Sequence, residues 1–262
     1  FVKAVYQARE YEKSHEKLII IEKNEEESLK KYYYASLDEE NLKFIPFAEK
    51  ADLNYTFLNY TNGRVYFSTS KYDWGEVRSF DLNGNDEKVI IPQIYANLLV
   101  NTFFYNDYII TKYRALGKNY MHVYDYEGKF IRKFEAPMGM DFRINHIDVE
   151  KKDLYVTFYS HTISNHNYKL NIENGDSNPY FNDFNKPKPT LFPFDYFETK
   201  TITYKSRDNK DIPITIIHKK GTKIDGNNPT LLEAYGGFGS VSAPRYDTGL
   251  LYFLEKGGVY AY

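Results

Sequence analysis

The chain has 262 residues, and its 34 Lys+Arg against 36 Asp+Glu leave a formal net charge of -2, which supplies no global field for nucleic acid or an anionic membrane. It contains no Cys, which excludes disulfides, zinc–thiolate sites and cysteine nucleophiles and fits a reducing compartment. With 27% charged and 42% apolar residues the mixture is globular, and 27 Tyr with 19 Phe tilt it toward strands.

Residues 1–10, "FVKAVYQARE", lack an initiating Met, a basic region and a small-residue cleavage site, so they read as an internal stretch rather than a signal peptide or a chain start. No apolar run approaches the roughly 18 residues needed to cross a bilayer. The longest aliphatic block near the start is Leu18 to Ile21. The expectation is a soluble protein of the cytoplasm, with the periplasm as the alternative, and the length favours two units. The stretch "KNEEESLKK", Lys23 to Lys31, reads as a solvated loop whose local ion pairs contribute little.

Four β-rich runs then recur: "KLIIIEK" from Lys17, "RVYFSTS" from Arg64, "DYIITKY" from Asp107 and "DLYVTFYS" from Asp153, at spacings of 47, 43 and 46 residues. Each is followed by a second strand-like stretch and a turn, "YYYASLDEEN", "VRSFDLNGND", "MHVYDYEGKF" and "YKLNIENGDS". Asp81-Leu82-Asn83-Gly84, Asp125-Tyr126-Glu127-Gly128 and Asn174-Gly175 supply the turn residues, because positive φ is cheap for Gly and Asn. A period in the forties with several strands per unit and no helical periodicity predicts about four blades of a β-propeller, the alternative being one irregular β-sandwich.

Composition changes near residue 178, where "NPYFNDFNKPKPTLFPFD" places Pro179, Pro187, Pro189 and Pro193 close together. Proline removes ladder donors and extends the residue before it, so this stretch, with Lys-Pro-Lys-Pro from Lys186, predicts a stiff linker between a domain over 1–190 and another over 191–262. A hairpin follows, with Thr199 to Ser206 going out, "RDNKD" turning and Ile212 to His218 returning.

The last segment changes mode. A buried strand, Thr230 to Ala234, runs into the loop "YGGFG"; a helix over "TGLLYFLEKGG" ends at Gly257-Gly258; a second strand covers Val259 to Tyr262. Strand, helix, strand predicts a parallel pair with the loop at the carboxyl end of its strand, where ligands bind.

"DNKDIPITIIHKKGTKIDGNNPTLLEAYGGFGSVSAPRY" followed by "LEKGGVYAY" resembles the opening of the peptidase domain in the prolyl oligopeptidase family of serine peptidases. The likeness is strong over residues 195–262, and the blade-like region fits the family's seven-bladed propeller, of which this chain would hold about the last four blades. The resemblance therefore implies a partial β-propeller followed by the start of an α/β-hydrolase domain. "YGGFG" is similar to the prolyl oligopeptidase branch, whereas the branch cutting after basic residues has a Tyr-Gly-Ser-Tyr-Gly-like version. By this resemblance Tyr235 matches the phenol that completes the oxyanion hole, and Phe238 matches a residue lining the pocket for the proline before the scissile bond. Gly236 and Gly237 would let the backbone approach the substrate. A tyrosine hydroxyl is a neutral donor at pH 7, and an aromatic face suits a flat pyrrolidine ring. Implied partners are short proline-containing peptides and the remainder of the same protein, with no nucleic acid, membrane or cofactor.

The nucleophilic Ser, the Asp and the His that such an enzyme needs are expected beyond Tyr262, so residues 1–262 alone are expected to be inactive. Ser240 and Ser242 in "GSVSAP" lack the G-x-S-x-G elbow and read as polar loop residues; His218 reads as a sheet-face side chain. His146, His161 and His166 lack a completing carboxylate for a metal and read as loop-surface residues. A chain ending at Tyr262 would leave Val259 to Tyr262 as an unpaired edge strand prone to aggregation. The alternatives are a peptidase cutting after basic residues and a non-catalytic propeller, the latter with no helix after Gly239.

Overall fold

All four recurring runs form strands, and each pairs antiparallel with the strand-like stretch that follows it. The computed structural model describes residues 17–23, 30–36, 41, 43–47, 55–105, 107–181, 191–237 and 242–262. They fall into two units, the first running to Phe104 with Tyr126–Gly128 added, the second comprising Tyr105–Asp125 and Lys129–Tyr262. Of the expected loop at Lys23 to Lys31, residues 24–29 lie outside the described residues and Lys23, Lys30 and Lys31 belong to strands; the N-terminal stretch and much of the proline-rich linker, including Pro187 and Pro189, also lie outside them.

In the first unit β1 (Lys17–Lys23), β2 (Lys30–Ser36) and β3 (Ile45–Phe47) form one antiparallel sheet. A four-stranded meander follows, with β4 (Tyr55–Thr61), β5 (Arg64–Thr69), β6 (Glu76–Asp81) and β7 (Lys88–Ile91) adjacent in chain order. Asn62 and Gly63, at φ 53 and 71, turn β4 into β5 with the left-handed pair that tight hairpins favour. Val65, Tyr66 and Phe67 on β5 are all buried, so successive side chains on opposite faces both find cover. On one face Val65 and Phe67 pack with Tyr32 and Tyr34, and the Tyr32 and Phe67 rings meet edge-on at 5.2 Å. On the other, Tyr66 meets Phe104 at 5.1 Å and Tyr126 at 5.8 Å. A strand buried on both faces reads as a continuous apolar run, which is why the repeat shows in the sequence.

β8 (Leu98–Tyr105) carries the chain into the second unit, where β9 (Tyr108–Ala115), β10 (Lys118–Tyr124) and β11 (Phe130–Glu135) are adjacent and antiparallel. The next meander is β12 (Asp141–Asp148), β13 (Asp153–Tyr159), β14 (His166–Asn171) and β15 (Ser177–Pro179). Pro179 closes its outermost strand, where a missing ladder donor is tolerated. The strand-end residues Asp81, Asp125 and Asn171 play one part in three turns: each side-chain oxygen accepts a backbone N–H from the turn that follows, at 2.7 to 3.1 Å.

The final sheet holds β16 (Phe197–Lys205), β17 (Asp211–Lys219), β18 (Thr230–Leu232) and β19 (Val259–Ala261), in the spatial order β16-β17-β19-β18. The helix α1 (Thr248–Glu255) links β18 to β19, which are parallel. Two expectations need correcting. Strand β18 ends at Leu232, short of Ala234, and within residues 1–262 it has a neighbour on one side only, which leaves Leu231 and Leu232 showing 52% and 65% of their surface. Strand β19 is not an unpaired edge: it is buried between β17 and β18, and Tyr262 exchanges backbone bonds with Thr215 at 2.9 and 3.0 Å.

Candidate active site

The strand-helix-strand unit at the chain's end sets the geometry of the site. Asp247 caps α1, its carboxylate accepting from Gly249 N–H at 2.7 Å and Leu250 N–H at 3.2 Å, which satisfies two of the helix's orphan donors. Leu250 and Leu254 then pack on Ile217 and Tyr260, holding the helix against the sheet. Val259 N–H donates to Pro229 O and Glu233 N–H to Ala261 O, both at 2.8 Å, so the parallel pair is closed at both ends.

Tyr235, Gly236 and Gly237 leave the carboxyl end of β18, and Tyr235 is 62% exposed. Its phenol lies over Gly237: a Cβ there would stand 3.8 Å from the hydroxyl oxygen, and one at Gly236 would meet nothing within 4 Å. A side chain at either position would thus leave the phenol uncrowded, so the two glycines are not required by its placement. A hydroxyl exposed just beyond a strand's carboxyl end can donate to an oxygen that acquires negative charge. Phe238 and Ser240 lie outside the described residues, and Ser242 is an exposed loop residue.

Two features gave no signal in the sequence. Glu233, two residues before Tyr235, accepts from the Tyr260 hydroxyl at 2.6 Å. Burial, reinforced by the bond to Glu233 and its charge, pushes the Tyr260 phenol well above the usual range. Arg114 on β9 donates to the Ser242 carbonyl at 3.3 Å, on the loop's way back to α1. Partners 27 and 128 residues apart leave no local pattern to read.

Three histidines expected on loop surfaces, His146, His161 and His166, depart from that expectation, whereas His218 is the sheet side chain expected. His161 is buried, its ring edge-on to Tyr260 and Tyr262 at 5.0 and 4.6 Å, because the turn after β13 packs on this sheet. His146 lies on β12 stacked on Tyr155, and His166 starts β14. Burial lowers the affinity of His161 and His166 for a proton. His218 is a buried side chain of β17. Among the described residues no three His, Cys, Asp or Glu side chains gather in a way that would hold a metal ion.

No protein-family model matches the chain. It is 29% identical over 222 residues to a prolyl endopeptidase of Elizabethkingia meningoseptica, a match covering 83% of this chain and 30% of that one. It is 31% identical over 154 residues to the prolyl endopeptidase of Elizabethkingia miricola, covering 59% and 21%. Among solved structures, the apo form of prolyl oligopeptidase B from Galerina marginata superimposes with a TM-score of 0.77 at 19% identity, covering 99% of this chain and 37% of that one. A structure from a study of two prolyl endopeptidases gives 0.76 at 20% identity, covering 98% and 37%. The fold of the blade-like sheets is therefore that of the propeller in these proteins. In sequence and in fold this chain is a relative of the prolyl oligopeptidases, similar to about a third or less of their length.

Proposed function

We propose that this chain is part of a serine peptidase that hydrolyses short peptides on the carboxyl side of proline through an acyl-enzyme, and that it supplies the Tyr235 phenol as one donor of the oxyanion hole. The observation carrying this reading is the exposed Tyr235 ring lying over Gly237 at the carboxyl end of β18, inside a strand-helix-strand crossover. Phe238 would stack on the substrate's pyrrolidine ring, and Gly236 with Gly237 would admit its backbone. In this reading the boundary between the repeat domain and an α/β-hydrolase domain falls at residues 190–191, and the compartment is the cytoplasm, with the periplasm as the alternative. The similarity to prolyl endopeptidases of two Elizabethkingia species supports the substrate class.

As the scissile carbonyl becomes tetrahedral, its oxygen gains charge that a preplaced hydroxyl stabilises more than it stabilises the ground state. Residues 1–262 contain no G-x-S-x-G elbow, so the chain alone should leave a proline-containing chromogenic peptide uncleaved. In the complete polypeptide carrying it, cleavage after proline should exceed cleavage after Arg or Lys. Tyr235→Phe should lower kcat about 10²- to 10³-fold with little change in KM, the typical effect of removing one oxyanion donor. A Tyr235→Phe enzyme within threefold of the parent would refute the assignment.

A further inference from the structure

Residues 160–166 connect β13 to β14, pack on the last sheet and α1, and bring two histidines to that seam. His161 lies edge-on to the Tyr260 and Tyr262 rings, faces the Arg245 carbonyl through Nδ1 at 3.1 Å, and accepts at its own carbonyl from Asp247 N–H at 3.3 Å. His166 lies edge-on to Phe194 at 5.3 Å and borders a cavity of about 20 Å³ walled by Leu191, Phe192, Phe194, Phe197, Tyr246 and Leu251. All these groups belong to the second unit.

Neither imidazole is placed to take a second proton. A carbonyl can only accept, so Nδ1 of His161 carries the proton it has and a second would go to Nε2. In both rings Nε2 is buried and meets no hydrogen-bond partner in the protein. The carboxylates whose charge reaches His161 are already engaged: Glu233 accepts from the Tyr260 hydroxyl at 2.6 Å, and Asp247 accepts from the first turn of α1. Arg114 and Asp141, whose charges reach Tyr262, are paired with each other at 3.0 Å. Among the described residues lining the His166 cavity, Tyr246 is the other titratable one and none is charged. Burial therefore outweighs the neighbouring charges and holds both imidazoles below the usual histidine range. An imidazolium in either place would be desolvated with no counter-ion bonded to it.

The third repeat meets the same sheet without any titrating group. Gly117, between β9 and β10, and Gly139, between β11 and β12, stand at positive φ so close to Thr201 and Thr199 of β16 that a Cβ on either would run into the threonine methyl. The Thr201 hydroxyl is in turn bonded to that of Thr215 at 3.1 Å. Acid has no direct hold on these contacts.

We propose that His161 and His166 form an acid-released latch: on protonation residues 160–166 leave the last sheet and α1, while the glycine–threonine contacts of the third repeat stay shut and serve as the hinge side. Released imidazoles bind protons near pH 6.5 and latched ones only at lower pH, so the latch is complete above 6.5 and weakens as the pH falls below it. Between pH 7 and pH 5 each imidazole favours the released form by up to about 25-fold. The inference stands on this seam and is independent of the role assigned to Tyr235.

Amide exchange read by mass spectrometry on the 262-residue chain at pH 7 and pH 5, normalised to the chemical rate at each pH, tests the latch. The ordinary aspartate and glutamate range lies below pH 5, so the comparison addresses the imidazoles. Protection over residues 160–166 and 245–250, where the N–H groups of Ile163, Asp247, Gly249 and Leu250 are bonded, should fall tenfold or more at pH 5, while that over β16 and β17 holds within twofold. In His161→Phe/His166→Phe the two pH values should agree within twofold over those segments, whatever protection the variant has at pH 7. His166→Phe alone keeps an aromatic ring against Phe194 and removes only the titrating nitrogens, so it should match the parent at pH 7 and respond less to acid; it decides the matter if the double variant does not fold. Equal protection of the parent at both pH values, a loss spread evenly over β16, β17 and the repeat strands, or an acid response in the histidine variants as large as the parent's would overturn the proposal.

Discussion

The Tyr260 hydroxyl donates a 2.6 Å hydrogen bond to the Glu233 carboxylate, joining the buried strand β19 to the end of the exposed strand β18 two residues before Tyr235. An edge strand of three residues has one neighbour and little buried area, so a side-chain bond at its end bears on where the following loop departs.

Tyr260→Phe should therefore lower stability by only about 1–2 kcal/mol, because exposed Glu233 regains water, yet speed amide exchange at Glu233 and Tyr235. Urea unfolding beside exchange measurements checks this. Equal exchange in both proteins would show that the backbone bonds alone fix the loop's departure.

Asp141 lies between Lys112 and Arg114 with 1% of its surface exposed. Asp141→Ala leaves two cations without their buried counter-charge and should destabilise the chain by about 3–5 kcal/mol. Asp141→Asn keeps the shape and a hydrogen-bonding oxygen and should fall between the two. A loss below 1 kcal/mol for the alanine variant, measured by denaturant melts, would mean that water reaches the cluster.

Gly128 and Gly63 both sit at positive φ, 83° and 71°, but only one is crowded. A Cβ on Gly128 would fall 1.9 Å from the Ile90 carbonyl oxygen, whereas one on Gly63 would meet nothing within 4 Å. Gly63→Ala should cost about 1–2 kcal/mol from backbone conformation alone. Gly128→Ala adds overpacking against backbone and should cost about 2–5 kcal/mol. Comparable melting points for the two variants would contradict this contrast.

Stability should fall on acidification before the carboxylates titrate. Burial holds His161 and His166 below the usual histidine range, and holds His122, with Lys133 nearby, down to about 4. The unfolded chain takes up these protons first, near pH 6.5, so the stabilisation is complete above that value and is lost as pH falls toward 4. Paired carboxylates such as Glu87 and Glu135, lowered by their hydrogen bonds to Arg78 and to Lys133 and Lys118, add their own loss as pH falls through 4.5, so they overlap only the acid end of that window. Urea midpoints measured every half unit should slope between pH 6.5 and 4, and His161→Phe should flatten part of the slope. A flat profile in that range would show that the imidazoles titrate normally.

The strands were legible because their physics is local. In "RVYFSTS" the consecutive Val65, Tyr66 and Phe67 mark a strand covered on both faces, and Asp81 and Asp125 end strands in turns that their own side chains close, while in the third turn that part falls to Asn171, which the sequence reading did not single out beside Asn174-Gly175. The helix after the loop was legible too, through the Gly257-Gly258 stop signal, whereas its packing through Leu250 and Leu254 became visible only in the structure. The order of the last strands was not legible: hydropathy cannot reveal that β19 pairs with β17 on one side and β18 on the other, placing the later strand between two earlier ones.

By itself, then, the sequence determined the repeat of strands, the strand-loop-helix-strand order and the aromatic, glycine-rich loop, since each depends on backbone preferences and side-chain periodicity within a few residues. Only the tertiary structure decided that Glu233 meets Tyr260, that Arg114 reaches Ser242 and that His161 is buried against Tyr262. Those pairings join positions 27 to 128 residues apart, and they form because packed sheets and a helix bring the groups together once their apolar faces are buried; no spacing along the chain encodes them.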